Sequence, residues 1–568
     1  MKRLLLFFVA FYLMVQLNAQ STFLPLRHED YNIVDRLEIM SGSLSNHVHT
    51  VNKPMDRKGM AKYISYIDTA TDTKLTKTDV ARIDRFYMEN WEWAEQGEAM
   101  KSKKPLFKVF YKNPAYLYHV NVPKFQAMIN PVFQFSLGME PGGTSGLRFI
   151  NTRGVEMRGK VANIFGFYAY MAENQTSFPD YVGDYVRRTK AVPGAGYYKD
   201  FKTNGYDFFI ARGYVTADIK DVVNVQFGYD KNFIGHGHRS MFLSDFSNDY
   251  MFLKVSTRVW KINYQNIFME LIGEYRRRGN NADRLLPRKY AAIHHLSIDI
   301  GKNFNLGIFE SVVFSRDQFE MQYLNPLIFY RAIEQALGSP DNAMLGIDFK
   351  GNFAKRFSIY GQFLIDDFNF NNEFRVGQED KNIVQQLLNS NKWWGSKIGG
   401  QLGLKYINAF EIKNLDLQFE ANYGRPFLYS HRSAETAWGH YDQPLAHPLG
   451  SNFTEMISIL RYQPRKDMLF NFKYIHAKYG RNTDLNFGAD IFRDDRNFNS
   501  ETGNSVHQGI FHKLNYVEAR FTYTPWPNVN LDATYVMRRE AIQDAENNNT
   551  NFFSVGTRIN MPYKSYDF

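Results

Sequence analysis

The feature that most constrains this chain is the rhythm of its connections. From about residue 125 onward, amphipathic segments of period two fall near 125–140, 147–158, 161–173, 206–219, 222–230, 250–258, 261–275, 290–300, 304–315, 344–353, 356–366, 395–407, 415–424, 453–461, 467–478, 514–524, 528–540 and 551–561. Tight turns such as Gly159-Lys160, Lys220-Asp221, Trp260-Lys261, Ala354-Lys355 and Pro525-Trp526-Pro527 alternate with long polar connections at 174–205, 231–249, 276–289, 316–343, 367–394, 425–452 and 479–513. Short turns at one rim and long loops at the other are the pattern of a transmembrane β-barrel, and an even strand number returns both flanks to the short-turn side. A strand of about eleven residues, rising roughly 3.3 Å each and tilted by about 40°, crosses roughly 28 Å, close to the hydrocarbon thickness. The expected fold is therefore an all-β transmembrane barrel of about 18 antiparallel strands over residues 125–568.

Within a segment, one face is apolar. Phe357, Ile359, Gly361, Phe363 and Ile365 alternate with Arg356, Ser358, Tyr360, Gln362, Leu364 and Asp366, and Val529, Leu531, Ala533, Tyr535 and Met537 alternate with Asn528, Asn530, Asp532, Thr534 and Arg538. A soluble sandwich shows similar alternation, so the connection lengths decide. A mean hydropathy of −0.43 excludes a helical membrane bundle and fits a barrel, where only every second strand residue meets lipid. An aromatic content of 16% fits the girdles that barrels place at both membrane surfaces. The ending in Tyr563, Tyr566 and Phe568 fits a last strand closed by aromatic residues.

Ahead of the strands the character differs. Lys2 and Arg3 precede an apolar run from Leu4 to Leu17 and the small-residue exit Asn18-Ala19, a secretory signal peptide over 1–19, since about 14 apolar residues are too few for a spanning helix. There is no cysteine, hence neither a lipid-anchored Cys nor a disulfide framework. Residues 20–124 form the expected helical domain and lead-in, placed in the periplasm. Helices are predicted at Asp30 to Met40 and Met55 to Ile67, and a third opens on Thr76 and Asp79 in a capping-box pattern, presenting Val80, Ile83, Phe86, Tyr87, Met88 and Trp91. That face has two compatible uses: burying itself in a bundle, or closing the periplasmic mouth of the barrel.

The polar strand faces direct Arg212, Glu518, Arg520, Asp532 and Arg538 to the lumen, because facing lipid each charge would cost about 2 to 4 kcal/mol near the midplane. Such a lumen suits a wet channel or a plugged, ion-paired interior. The net charge of +10, or +8 without Lys2 and Arg3, is spread among acidic residues without a long basic run, which disfavours nucleic acid and points to lipopolysaccharide phosphates or an acidic glycan.

The most unusual segment runs from Gly228 to Asp245, leaving a strand and entering a long connection. It resembles the capsule-assembly Wzi family, in which a strand leads into an aromatic-Gly-x-Gly segment followed by Ser-x-x-Leu-Ser-[Asn/Asp]. Phe233 to Gly237 and Ser240 to Asp245 supply those elements here, with Ile234 where the family would carry Trp. Leu324-Asn325-Pro326, Asp341-Asn342, Asp366-Asp367 and the helical stretch with Lys53-Pro54 and Arg57 match further. Within that superfamily the chain is most similar to the RemB-type outer-membrane proteins of gliding bacteria. The resemblance implies an eighteen-stranded barrel with a periplasmic helical bundle. It further implies polysaccharide binding for the capsule branch and, for the RemB-type branch, surface motility or the handling of an extracellular polysaccharide.

The functional expectation is a non-enzymatic outer-membrane protein that binds or organises surface polysaccharide or supports gliding. Its partners are outer-membrane lipid and lipopolysaccharide, a surface polysaccharide and motility or secretion machinery, with no nucleic acid and no cofactor. A solute or oligosaccharide channel is the alternative, and a barrel hydrolase the third reading. Candidate glycan contacts are Trp393, Trp394, Trp438 and Tyr441, whose rings can stack on sugar C–H groups, with His440 and His447 nearby, and His236, His238 and Arg239 of the unusual segment. Trp393 and Trp394 can alternatively anchor the membrane interface. His236 and His238 lack an obvious acidic partner for a metal. Ser240 near His238 raises a nucleophile, and Asp490, Asp494 and Asp495 raise a calcium loop interrupted by Arg493 and Arg496.

Overall fold

The computed structural model describes residues 21–70, 73–94, 102, 105–144, 146–273, 286–316, 320–327, 329–338, 341–369, 372 and 392–568. The signal-peptide segment lies outside the described residues.

Three helices come first: α1 (Asp30–Ser41), α2 (Arg57–Ala70) and α3 (Lys77–Glu89). The capping box forms as read, with the Thr76 side chain accepting from the Asp79 N–H and the Asp79 carboxylate accepting from the Thr76 N–H. The helices bury Val34, Leu37, Met60, Tyr63, Ile64, Ile67, Ile83 and Phe86 against one another. They also seal the short-turn mouth of the barrel. Ile39 and Met40 pack on Ile407 in a short connection, and Trp91 packs on Ala115, Tyr116 and Met128. The fully buried Arg36 reaches from α1 to Asp79 (2.7 Å) and onward to Asp416, Asn408 and Asn414 at the barrel rim. The helices thus pack on one another and on the short-turn rim, although Val80 stays exposed.

The sheet closes through eighteen antiparallel strands: β1 (Phe125–Met139), β2 (Arg148–Val161), β3 (Phe165–Ser177), β4 (Gly205–Ile219), β5 (Val223–Asp230), β6 (Tyr250–Val259), β7 (Ile262–Ile272), β8 (Arg288–Ile300), β9 (Phe304–Phe314), β10 (Asn342–Phe353), β11 (Phe357–Asp367), β12 (Lys397–Tyr406), β13 (Leu415–Gly424), β14 (Phe453–Arg465), β15 (Met468–Arg481), β16 (Ile510–Trp526), β17 (Val529–Ile542) and β18 (Asn548–Ile559). Each pairs with its sequence neighbour, and β18 returns to β1 from Phe553↔Met139 to Ile559↔Phe133. Short strands Tyr118–Val122 and Lys199–Phe201 add to the edges of β1 and β4. Among the short turns, Lys220-Asp221 and Ala354-Lys355 put two residues at positive φ, which suits tight hairpins of right-handed strand twist. The turn expected at Gly159-Lys160 lies instead at Ala162-Asn163. Gly159 remains in the ladder, opposite Ala127 and Phe167.

Side chains alternate as expected. Ile359 and Phe363 are exposed on the outer wall, while Ser358, Tyr360, Gln362 and Leu364 are buried inside. Residues 320–327 and 329–338 depart from that pattern. They fold over the outer wall, where helix α4 (Tyr330–Leu337) and its lead-in cover Phe268, Ala292, Val312 and Phe314, while the neighbouring Ile267, Ile293 and Val313 face the interior core. Beneath this strap, His294 stacks on Tyr330 at 4.0 Å and lies 3.6 Å from Glu310, so an outward-facing polar pair is covered.

Two features of the interior lie outside the strand pattern. The upper lumen is an apolar core, in which Met241, Phe242, Leu243, Leu428, Tyr429, Trp438 and Leu445 from two inward-folded connections meet Phe252, Met269, Phe309 and Leu364 of the wall. Residues 560–568 do not extend β18. They rise inside the barrel, with Tyr566 against Phe178 (5.0 Å) and Phe568 against Tyr185 (4.6 Å). A charge placed at the lipid-facing centre of β11 tests the wall assignment: Phe363→Arg is expected to destabilise the barrel by about 2 to 4 kcal/mol, measured by urea unfolding in phospholipid vesicles.

Candidate functional site

The segment that leaves β5 turns inward. Phe233 and Ile234 pair with Lys53 and Asn52 in a two-stranded ribbon, so the chain ahead of α2 and the unusual motif meet at the centre of the lumen. Gln362 of β11 holds this ribbon, donating to the Ile234 carbonyl (3.0 Å) and accepting from the Met241 N–H (2.7 Å). A Cβ at Gly237 would stand 2.5 Å from a Glu420 carboxylate oxygen and 2.8 Å from the Gln401 side chain. Glycine is required there because the wall approaches so closely.

The rest of the motif builds an ion network. The backbone N–H groups of His238 and Arg239 donate to the two oxygens of Glu420 (2.7 and 3.0 Å). The Arg239 guanidinium spans Glu455 (3.1 Å) and Asp567 (2.9 Å). Asp567 is also met by His238 Nε2 (2.8 Å) and Lys473 (2.6 Å). Burial acts against the charged form of Asp567, yet Arg239, Lys473 and His238 outweigh it and hold its carboxyl well below the usual range. His236 points elsewhere, into a polar cavity of about 190 Å3 shared with Asp35, Lys53 and Lys405. Burial, then Lys350 and Lys53, keep its ring neutral. The two histidines therefore share no metal position. Ser240 is fully buried, donates to the Ile234 carbonyl and accepts from the Phe242 N–H. It serves a turn, and the nucleophile reading is set aside.

The five lumen candidates all join this interior. Arg212 pairs with Asp249 (2.9 Å). Glu518 accepts from Ser565 (2.6 Å) and Tyr516 (3.0 Å). Arg520 reaches Glu29 (3.1 Å) and lies over the Tyr563 ring at 4.1 Å. Asp532 pairs with Arg558 (2.6 Å), and Arg538 with Glu540 (2.7 Å). Chain segments from both flanks of the barrel meet Glu518 and Arg520, whereas Asp532 and Arg538 pair within the wall and Arg212 with an inward connection.

The glycan candidates separate by burial. Trp438 is 0% exposed and donates its indole N–H to the Phe242 carbonyl (2.8 Å), so it is a core residue unable to stack on a ligand from outside. His440 is likewise internal: it accepts from the Ile272 N–H (2.9 Å) and donates to the Asp249 carbonyl (3.0 Å), and burial brings its pKa down to about 3. His447 pairs with Glu455 and stacks on Phe453. Tyr441 is half-buried, with its ring edge-on to His440. Trp393 and Trp394, in the long connection before β12, are half-exposed like Tyr441. Trp394 stacks on Phe498 at 4.7 Å and meets Phe427 edge-on. Phe498, which no periodicity marks, comes from a connection a hundred residues away in sequence. The calcium reading of the same connection fails, because Asp494 is held by Arg496 (2.9 Å) and Asp495 by Lys397 (2.5 Å).

No protein-family model matches the chain, and no curated protein does. Among solved structures, the fold is similar to that of Wzi, an outer-membrane protein involved in group 1 capsule assembly in Escherichia coli and described as a carbohydrate-binding β-barrel. The TM-score is 0.55 at 11% identity, over 96% of this chain and 100% of that one. OprD of Pseudomonas aeruginosa gives 0.41 at 10% identity over 76% and 94%, and OccAB2 of Acinetobacter baumannii gives 0.40 at 10% over 76% and 97%. The chain thus has the Wzi-like fold of an outer-membrane β-barrel.

Two expectations follow for the interior. Arg239→Met takes the guanidinium from the buried Glu455 and Asp567, leaving Asp567 only Lys473 and His238, and is expected to cost about 3 to 5 kcal/mol. Adding Glu455→Gln and Asp567→Asn should restore part of the loss in vesicle unfolding titrations. The Asp245 carboxyl is disfavoured by burial but held well below its ordinary value by bidentate Arg27. Its contribution is fully present above the unfolded value, about pH 4, and lost as pH falls through the depressed folded value. Asp245→Asn should therefore lower stability at pH 7 and flatten its decline below about pH 4, read from denaturant midpoints at each pH.

Proposed function

We propose that this chain is a non-enzymatic outer-membrane barrel that binds or organises surface polysaccharide at the ends of its long loops, its helices lying in the periplasm. The observation that carries this reading is the filled lumen. The helices close one mouth, inward-folded connections pack the other, and residues 560–568 tie both to the wall through Asp567 and Tyr563. A ligand then meets the protein at its outer loop surface. The likeness to a carbohydrate-binding barrel along both chains supports the same reading.

On that surface the half-exposed Trp393 and Trp394, backed by Phe498, offer ring faces for sugar C–H groups. Exposed Arg496, half-buried Arg493 and the chain's net charge of +10 favour an acidic glycan. The outer belt meets lipid and lipopolysaccharide. In a gliding cell, holding polysaccharide at the surface would serve motility, the role that the RemB-type resemblance suggests, alongside motility or secretion machinery.

Purified protein is expected to co-sediment with an acidic surface polysaccharide, and Trp394→Ala to weaken that binding at least about tenfold, the loss of roughly 1.4 kcal/mol. Planar-bilayer recordings at neutral pH should show no conductance steps. Failure to bind any native surface glycan removes the reading, and stable ohmic steps replace it with the channel.

A further inference from the structure

Three side chains distant in sequence converge where the helices meet the barrel mouth. His28 and Asp30 flank the start of α1, and Glu89 is the last residue of α3. One donor atom from each lies within 4.8 Å of the others. The His28 Nδ1 to Asp30 Oδ2 distance is 3.4 Å, and His28 Nε2 is 3.7 Å from Glu89 Oε2. The two carboxylates are only 8% and 6% exposed, and Asp30 Oδ2 accepts no hydrogen bond. A buried carboxylate oxygen without a donor is costly, and this one faces the imidazole.

We propose that His28, Asp30 and Glu89 bind a divalent transition-metal cation, with Zn2+ the best fit. One imidazole nitrogen and two carboxylate oxygens suit Zn2+, whereas Ca2+ and Mg2+ select oxygen donors throughout. With bonds of about 2.1 Å, adjacent ligands of a tetrahedral Zn2+ lie about 3.4 Å apart. The two short distances run to opposite nitrogens of the His28 ring, so the ring turns to present one nitrogen to both carboxylates and the donor atoms, within 4.8 Å of one another, draw in by up to about 1.4 Å. Two carboxylates balance the metal charge. Arg85 donates to Oε1 of Glu89 at 2.8 Å and leaves Oε2 for the cation, in the manner of the outer partners that orient metal ligands. The site opens on a cavity of about 120 Å3 that also reaches Arg461, Asn530 and Pro562 of the barrel, so water can enter and fill the fourth position. The bound ion would clamp the start of α1 to the end of α3.

The competing arrangement is a protonated His28 bridging the two carboxylates without metal. Full-length protein in detergent micelles, treated with EDTA and freed of it, is titrated with ZnCl2 by calorimetry at pH 7.5. One tight site is expected, with affinity lowered at least about tenfold in each of His28→Ala and the isosteric Asp30→Asn. Both variants are checked for heat-modifiable electrophoretic mobility, and Co2+ loading of the unsubstituted chain should give the visible absorption of a four-coordinate N/O site. Absence of tight Zn2+ uptake overturns the proposal in favour of the histidinium bridge. Uptake unchanged in either folded variant overturns the three-ligand set.

Discussion

The closing pair of β18 with β1 is the contact on which the rest of this molecule depends. In hydrocarbon a backbone N–H or C=O has no water to turn to, so an open sheet edge is untenable and only a closed ladder can stand. Seven register pairs from Phe553↔Met139 to Ile559↔Phe133 remove that edge. Once the ring is shut, outside and inside become separate solvents. Ile359 and Phe363 belong to the first, Tyr360 and Gln362 to the second.

Closure creates an interior that must itself be filled or wetted, and this chain fills it. The charges there are met in clusters: Arg239 by two carboxylates, Asp567 by two cations and an imidazole, Arg520 by a carboxylate and an aromatic face. Buried ion pairs of this kind add little net stability over a well-packed apolar interior, yet are expensive to break singly. Their effect is to fix which segment lies against which strand. The Phe233–Asp245 motif is the meeting point, because its backbone is held by Glu420, its side chains by Glu455 and Asp567, and its flanking ribbon by Lys53 and Gln362.

The barrel wall was legible in the sequence because its determinants are local. Period-two faces and connection lengths are properties of short windows, and the strand number follows from them; the cap at Thr76 and Asp79 is local in the same sense. The interior was not legible. Met241, Phe242, Leu243 and Trp438 carry no periodicity, and their burial depends on connections that fold inward from opposite parts of the ring. Trp438 and Trp394 are the same residue type in similar polar loops, yet one is core and the other half-exposed, a difference set by which neighbours arrive. The strap over His294 and Glu310 was likewise hidden, since an outward charge in a strand reads as an error of register until its cover is seen. The five lumen charges were placed on the inner face from alternation alone, while some of their partners, Glu29, Asp249, Tyr563 and Ser565, come from segments outside the strands.

Residues 560–568 emerge from β18 beside the very strand that the helical segment feeds. Asn560 donates to the Pro131 carbonyl of β1 at 2.7 Å, and Asn528 of the neighbouring turn donates to the Ala115 carbonyl of the lead-in at 3.1 Å. The two flanks therefore become spatial neighbours only when the ring shuts. Ahead of that moment they are separated by the full circumference of an unrolled sheet, and Glu29 of one flank does not reach Arg520 beside the other. Seam formation and interior packing are thus a single cooperative event, and a half-closed barrel exposes an unsatisfied edge and an unfilled, highly charged cleft together. An intermediate stalled at that point is unstable on two counts, which favours all-or-none maturation of the barrel.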